Sequence, residues 1–141
     1  MGRLQVSLLL DTNAWLYSVD RPGALPATVR DMLSAHSVHY LSTISLWEVA
    51  KKCQLGKLRL AVPISEWMKL ALASSVEVLP LTPTIILDAT SMPEFPNRDP
   101  ADELIVATAR VHGLTLLTCD KLLRDYPHAA IRYFRPIDRL A

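Results

Sequence analysis

Cysteine is scarce: the 141-residue chain holds two, Cys53 and Cys119. Two thiols build no disulfide framework, so a cross-linked secreted scaffold is excluded and a reducing, cytoplasmic setting is expected. Charge of one sign is also lacking. The net charge is +1, so no strong overall field marks the chain for nucleic acid, although a local basic patch stays open. No apolar run approaches the ~20 residues of a membrane-spanning helix, which argues against a membrane protein. The amino-terminal Met1-Gly-Arg-Leu stretch leads into a short apolar segment without a small-x-small cleavage site, and a signal peptide is rejected. Repeats of solenoid period and low-complexity tracts are absent. The four histidines, His36, His39, His112 and His128, show no zinc-ligand spacing.

What is present is hydrophobic substance. Half of the residues are hydrophobic, enough for one folded domain spanning residues 1–141. Apolar runs and helical spacings alternate along it. Strands are expected at Leu4–Leu10, Val38–Leu41, Val76–Leu79, Leu114–Thr118 and Ile131–Phe134. A short helix is expected over Asn13–Val19, broken by Asp20-Arg-Pro-Gly, and another over Thr28–Ala35 after Pro26. Ser45-Leu-Trp-Glu48 has the form of a capping box opening a helix through Gln54. Further helices run from Ser65 to about Ser74 and from Thr82-Pro83 to about Thr90. Residues 92–98 read as a loop. Asp99-Pro100 caps a helix that Gly113 ends, and Asp120 caps a short one to Tyr126. Strands alternating with helices imply right-handed crossovers and a parallel sheet covered on both faces.

The organising stretch is Leu8-Leu-Leu-Asp-Thr-Asn13. A buried strand ends there in a carboxylate, Asp11, and the chain repeats the device at Leu114–Asp120. Ligands of open parallel sheets bind outside the carboxyl ends of the strands. Glu48 and Asp102 stand in first turns of expected helices on the same rim. Each acid alone also has a plain structural role. Asp11 and Asp120 are good N-caps, Glu48 suits the third position of a capping box, and Asp102 suits a helix dipole. Together they are more informative. Two unit charges ~4 Å apart repel by about 4 kcal/mol at an effective dielectric near 20. Such a cluster persists if the acids take up protons or hold a divalent cation. All-oxygen ligands point to a hard ion, magnesium or manganese.

Four segments then carry a family resemblance: Leu-Leu-Leu-Asp-Thr-Asn-Ala-Trp-Leu (8–16), Ser-Thr-Ile-Ser-Leu-Trp-Glu-Val-Ala (42–50), Asp-Pro-Ala-Asp-Glu-Leu-Ile-Val-Ala-Thr-Ala (99–109) and Leu-Leu-Thr-Cys-Asp (116–120). In this order and spacing they resemble the PIN domain, and more narrowly the VapC-type toxins of bacterial type II toxin–antitoxin systems. The resemblance implies a three-layer α/β/α sandwich with a mainly parallel five-stranded sheet of order 3-2-1-4-5. It implies a magnesium- or manganese-dependent endoribonuclease, with Asp11, Glu48, Asp102 and Asp120 as catalytic and metal positions. Asp11, Asp102 and Asp120 would hold the ion directly or through water, with Glu48 completing the site, and a metal-activated water would cut the phosphodiester. Thr12, Asn13 and Thr118 would support the site. Asp99 matches a recurrent family position but reads here as the cap of the Asp102 helix. The resemblance also implies RNA as substrate, a homodimer, and a VapB-like antitoxin that places a basic side chain into the acidic pocket. Two departures stand out. Glu103 and Cys119 occupy positions where such sequences often carry arginine, and each removes a cation near the rim.

RNA would need positive charge nearby. Lys51, Lys52, Lys57 and Arg59 follow Glu48, and Arg98 precedes Asp99; each also reads as an ordinary solvated side chain. Trp15, Trp47 and Trp67 at helical spacing read as core, with Trp47 the candidate for base stacking. Cys119 reads as a small buried residue without a base to activate it. Rival readings are weaker. A haloacid-dehalogenase-type phosphohydrolase wants an aspartate two residues after Asp11, and Asn13 stands there. A receiver domain wants an early acidic pair and a late lysine after a strand. A catalytically weak binding module of the same fold remains the non-enzymatic alternative.

Overall fold

A computed structural model of the chain describes residues 6–73 and 75–137. Leu4, Gln5 and Ser74, which the sequence places at the ends of a strand and a helix, lie outside them. Five strands, β1 (Leu8–Leu10), β2 (His39–Ser42), β3 (Val76–Leu79), β4 (Thr115–Thr118) and β5 (Ile131–Tyr133), form one sheet. Its order is β3-β2-β1-β4-β5 and every pairing is parallel. Six α-helices connect them: α1 (Thr12–Asp20), α2 (Ala27–Ser34), α3 (Thr43–Gln54), α4 (Ile64–Leu72), α5 (Pro83–Ala89) and α6 (Pro100–His112).

The central strand shows why the sequence folds this way. Leu8, Leu9 and Leu10 are all buried. Leu8 and Leu10 join Trp15, Val29, Leu41, Trp67 and Leu117 on one side of the sheet. Leu9 joins Ile105, Val106, Leu116 and Leu123 on the other. A strand covered on both faces needs apolar side chains at successive positions rather than alternate ones. Each fully buried leucine contributes roughly 1.5–3 kcal/mol of transfer free energy. Trp15 and Trp67 meet edge to face with centroids 5.0 Å apart, and Trp67 Nε1 donates to Asp20 Oδ1 at 2.9 Å. Both are core, as expected. Trp47, also expected in the core, is instead 57% exposed on α3.

Helix α6 packs against α5 through Ile85, Ala89 and Ala107. The Arg110 guanidinium clamps Asp88 of α5, Nε to Oδ2 at 2.8 Å and Nη2 to Oδ1 at 3.2 Å. Gly113, at φ 65°, closes α6 in the left-handed conformation, where glycine carries no Cβ penalty.

Two further local expectations are corrected. Helix α3 begins at Thr43, and its cap is Ser42, whose Oγ accepts from the Ile44 amide at 3.3 Å. Strand β2 runs straight into α3 without a loop, so the helix starts before Ser45. Glu48 therefore stands in the second turn, beyond the reach of a capping box. The expected helix after Asp120 is a run of turns over residues 121–125. Asp120 Oδ1 accepts from Leu122 N at 2.9 Å, and three-residue bonds such as Leu123 N to Asp120 O follow. Pro127 arrives before a second helical turn can close.

Candidate active site

In the order 3-2-1-4-5 the chain reverses direction across the sheet between β1 and β4, which makes their carboxyl ends the topological switch point. Asp11 follows β1 and Asp120 follows β4. Glu48 reaches the same place from α3 and Asp102 from the first turn of α6. All four line one open cavity of about 670 Å³. Thr12, Asn13 and Asp99 line it as well, while Thr118 holds Asp11 from outside the lining.

Asp11 is the most enclosed, at 7% exposure. Its Oδ2 accepts from the Thr118 hydroxyl at 2.6 Å, and its Oδ1 from the Thr12 amide at 2.8 Å. The Thr118 hydroxyl also accepts from the Asp120 amide at 3.0 Å, so one threonine positions two of the acids. The Thr12 hydroxyl bonds to Glu48 Oε1 at 2.5 Å and to Ser45 Oγ at 2.8 Å. Asp102 Oδ2 accepts from Asn97 Nδ2 at 2.9 Å. Asp99 caps α6 through the Ala101 amide at 2.9 Å, as expected. Asn97 had no signal in the sequence beyond its place in a loop rich in proline, and its own Oδ1 accepts from the Asp99 amide.

The electrostatics carry the marks of burial, with mutual repulsion added. Burial raises the Asp102 carboxyl from its ordinary 3.8 to about 7, with the charges of Asp11, Asp99 and Asp120 adding to the effect and Asn97 opposing it. Burial also raises Asp11, against the bonds from Thr118 and the Thr12 amide. Glu48 is raised by burial, with Thr12 and Lys52 opposing. Groups perturbed by desolvation and by one another in a cleft single it out as the candidate site. Cys119 lines the same cavity. Burial and the charge of Asp11 push its thiol up to about 11, which leaves it an inert thiol near neutral pH.

Five carboxylates line the cavity, Asp11, Glu48, Asp99, Asp102 and Asp120, against the three cations Lys52, Lys121 and Arg135. The formal deficit is two charges, which one divalent cation offsets. Among the described residues no three such side chains close into a ready coordination shell. The donor set is nevertheless all oxygen and charge-deficient in the sense that suits a hard ion.

The expected basic residues divide. Lys52 lines the cavity. Lys51 instead donates to Gln54 Oε1 at 2.7 Å on the outer surface of α3. Arg98 is exposed and does not line the cavity. Lys57 and Arg59 line a separate hollow with Asp20 and Arg21. Lys121, Tyr133 and Arg135 do line the acidic cavity and were not singled out from the sequence. Glu103 is partly buried on α6 and is not among the lining residues.

A parallel α/β domain with crowded carboxylates at its switch point defines a class of proteins that act at an acidic, cation-ready cleft. The chain belongs to the PIN domain family, which it matches over residues 8–129. It is 30% identical over 122 residues to Ribonuclease VapC22 of Mycobacterium tuberculosis (strain ATCC 25618 / H37Rv), covering 86% of this chain and 93% of that one. A toxin–antitoxin complex from Klebsiella pneumoniae superposes with a TM-score of 0.65 at 20% identity, covering 92% of this chain and 99% of the other. VapBC2 from Rickettsia felis, bound to a DNA fragment from its promoter, superposes at 0.67 with 15% identity, covering 91% and 98%. These two likenesses bear out the fold. No helix among the described residues is long and apolar enough to cross a membrane.

Proposed function

We propose that this protein is a divalent-metal-dependent endoribonuclease, the toxin of a VapBC-type toxin–antitoxin pair. One observation carries the reading: a PIN-family chain, similar over most of its length to a relative named as a ribonuclease, retains four acids that meet in one cavity at the switch point.

Asp11, Asp102 and Asp120 would hold the magnesium or manganese ion, with Glu48 completing the site. When bound, the ion supplies positive charge to the phosphodiester oxygens and to the attacking water. The chain's own groups do the positioning. Thr118 fixes the rotamer of Asp11 and the backbone at Asp120. Thr12 aims Glu48, and Asn97 aims Asp102. Burial raises both Asp11 and Glu48, and Lys52 lies close enough to oppose that rise at each of them. No histidine lines the cavity, so acid–base work by an imidazole pair is not part of the reading. The antitoxin would be a small VapB-like protein with a basic side chain for the same carboxylates, and the toxin would pair as a homodimer.

The test is cleavage of a mixed structured RNA pool with magnesium or manganese, with chelator, and with Asp11→Asn. Cleavage that requires metal and vanishes in the variant is expected. Metal-independent cleavage by pure protein, or full activity of Asp11→Asn, refutes the site.

A further inference from the structure

The carboxylates that suit a cation repel an RNA strand, so a bound strand needs positive charge on the wall of the cavity. Lys121 lines it directly after Asp120, and Arg135 lines it from the carboxyl-terminal segment. Among the described residues neither takes part in an ion pair; the pairs found are Arg110–Asp88 and Arg124–Asp125. Both are exposed cations beside an acid cluster, with their charge left for a ligand.

Tyr133, the last residue of β5, lines the same cavity and is in register with Thr118, the threonine that holds Asp11. The Arg124 guanidinium lies over the Tyr133 ring, 5.7 Å from its centroid, so a cation backs the aromatic plane. The segment is built in rather than trailing. Phe134 is buried at 4% exposure and meets Tyr17 edge to face. The Phe134 amide donates to Thr118 O at 2.9 Å, and the Ile137 amide to Ala24 O at 2.8 Å. The wall is tied to β4 at one end and to the chain after α1 at the other. Residues 133–137 also lie past residue 129, where the family match ends.

We infer that residues 133–137 and Lys121 form the substrate-gripping wall of this cavity: Lys121 and Arg135 take consecutive phosphates of an unpaired RNA strand, and Tyr133 stacks on a base between them. A stacking base must be unpaired, so the wall selects single strands over duplex. The inference rests on the ribonuclease reading and deepens it.

Fluorescence anisotropy tests it, with a labelled ~12-nucleotide single-stranded RNA of mixed sequence in magnesium, titrated at about 50 to 300 mM salt. Every protein carries Asp11→Asn so that the RNA stays intact, and wild-type cleavage is followed alongside. Lys121→Gln with Arg135→Gln is expected to weaken binding about tenfold or more at the lowest salt. It also makes the slope of log affinity against log salt shallower by about 1.4, two phosphates' worth on a single strand. Tyr133→Ala weakens binding about tenfold at every salt with the slope unchanged, while Tyr133→Phe binds like the parent. If Tyr133→Ala does not fold, Tyr133→Leu keeps the apolar bulk, lacks the ring and is expected to show the same loss. An unchanged slope in the double variant, or parental binding by the alanine or leucine variant, overturns the wall. Wild-type cleavage of RNA alongside such results leaves the nuclease standing. Protein that neither binds nor cleaves RNA overturns both.

Discussion

Asp102 should destabilise the metal-free protein near neutral pH, and Asp102→Asn should relieve it. The folded carboxyl titrates at about 7 against an ordinary 3.8, a difference equivalent to about 4 kcal/mol. Asp102 is only partly buried, so solvent screening cuts this to roughly 2 kcal/mol. The sign follows from linkage. A carboxyl whose folded pKa is raised binds its proton more tightly in the native state. Its favourable contribution is fully present below about pH 4 and is lost as the pH rises through about 7. Asparagine carries no charge and can still accept from Asn97 Nδ2. In excess chelator Asp102→Asn should therefore melt about 6 °C above wild type at about pH 8, with the gap closing toward pH 4. Differential scanning calorimetry across that range measures it. Added magnesium should raise the wild-type melting temperature more than the variant's, because the cation offsets the repulsion that the variant lacks. A variant no more stable than wild type at pH 8, or a gap that ignores pH, would refute the claim that burial and the neighbouring carboxylates together penalise the Asp102 charge.

Three further outcomes follow from the same geometry. Thr118→Val removes the donor to a buried carboxylate and the acceptor for the Asp120 amide; it should cost about 2 kcal/mol in chemical denaturation and lower RNA cleavage steeply. Thr12→Val should cut cleavage about tenfold while costing the fold less, since it releases Glu48 from its hydrogen bond without unpairing a fully buried charge; equal activity in a single-turnover assay would detach Glu48 from the site. Cys119→Ser should retain cleavage, and wild-type Cys119 should resist iodoacetamide at about pH 7.5, because a thiol pushed up to about 11 is almost wholly protonated there.

Much of this molecule is written in local patterns. The uninterrupted leucines at 8–10 demand a strand covered on both faces, which only the interior of a covered sheet supplies. Asp99-Pro100 starts α6 and Gly113 stops it through cap geometry that needs no distant partner. Those signals, with the acids at strand ends and helix starts, lead to a parallel sheet and an acidic cluster at one edge; the strand order came only with the family resemblance. Where local signals compete, the sequence misleads. Ser45 and Glu48 spell a capping box, yet the direct run of β2 into α3 makes Ser42 the cap and frees Glu48 for Thr12 of another helix. Lys51 and Lys52 are adjacent in sequence, but the helical turn sends one to Gln54 and the other to the cavity. Tyr133 and Arg135 face the acids only because β5 pairs with β4, and Thr118 reaches Asp11 across 107 positions of chain. Hydrophobic spacing and caps are short-range chemistry, which the sequence by itself determines. Which side chains meet across the sheet depends on strand pairing and closure over long separations, and only the tertiary structure decides that.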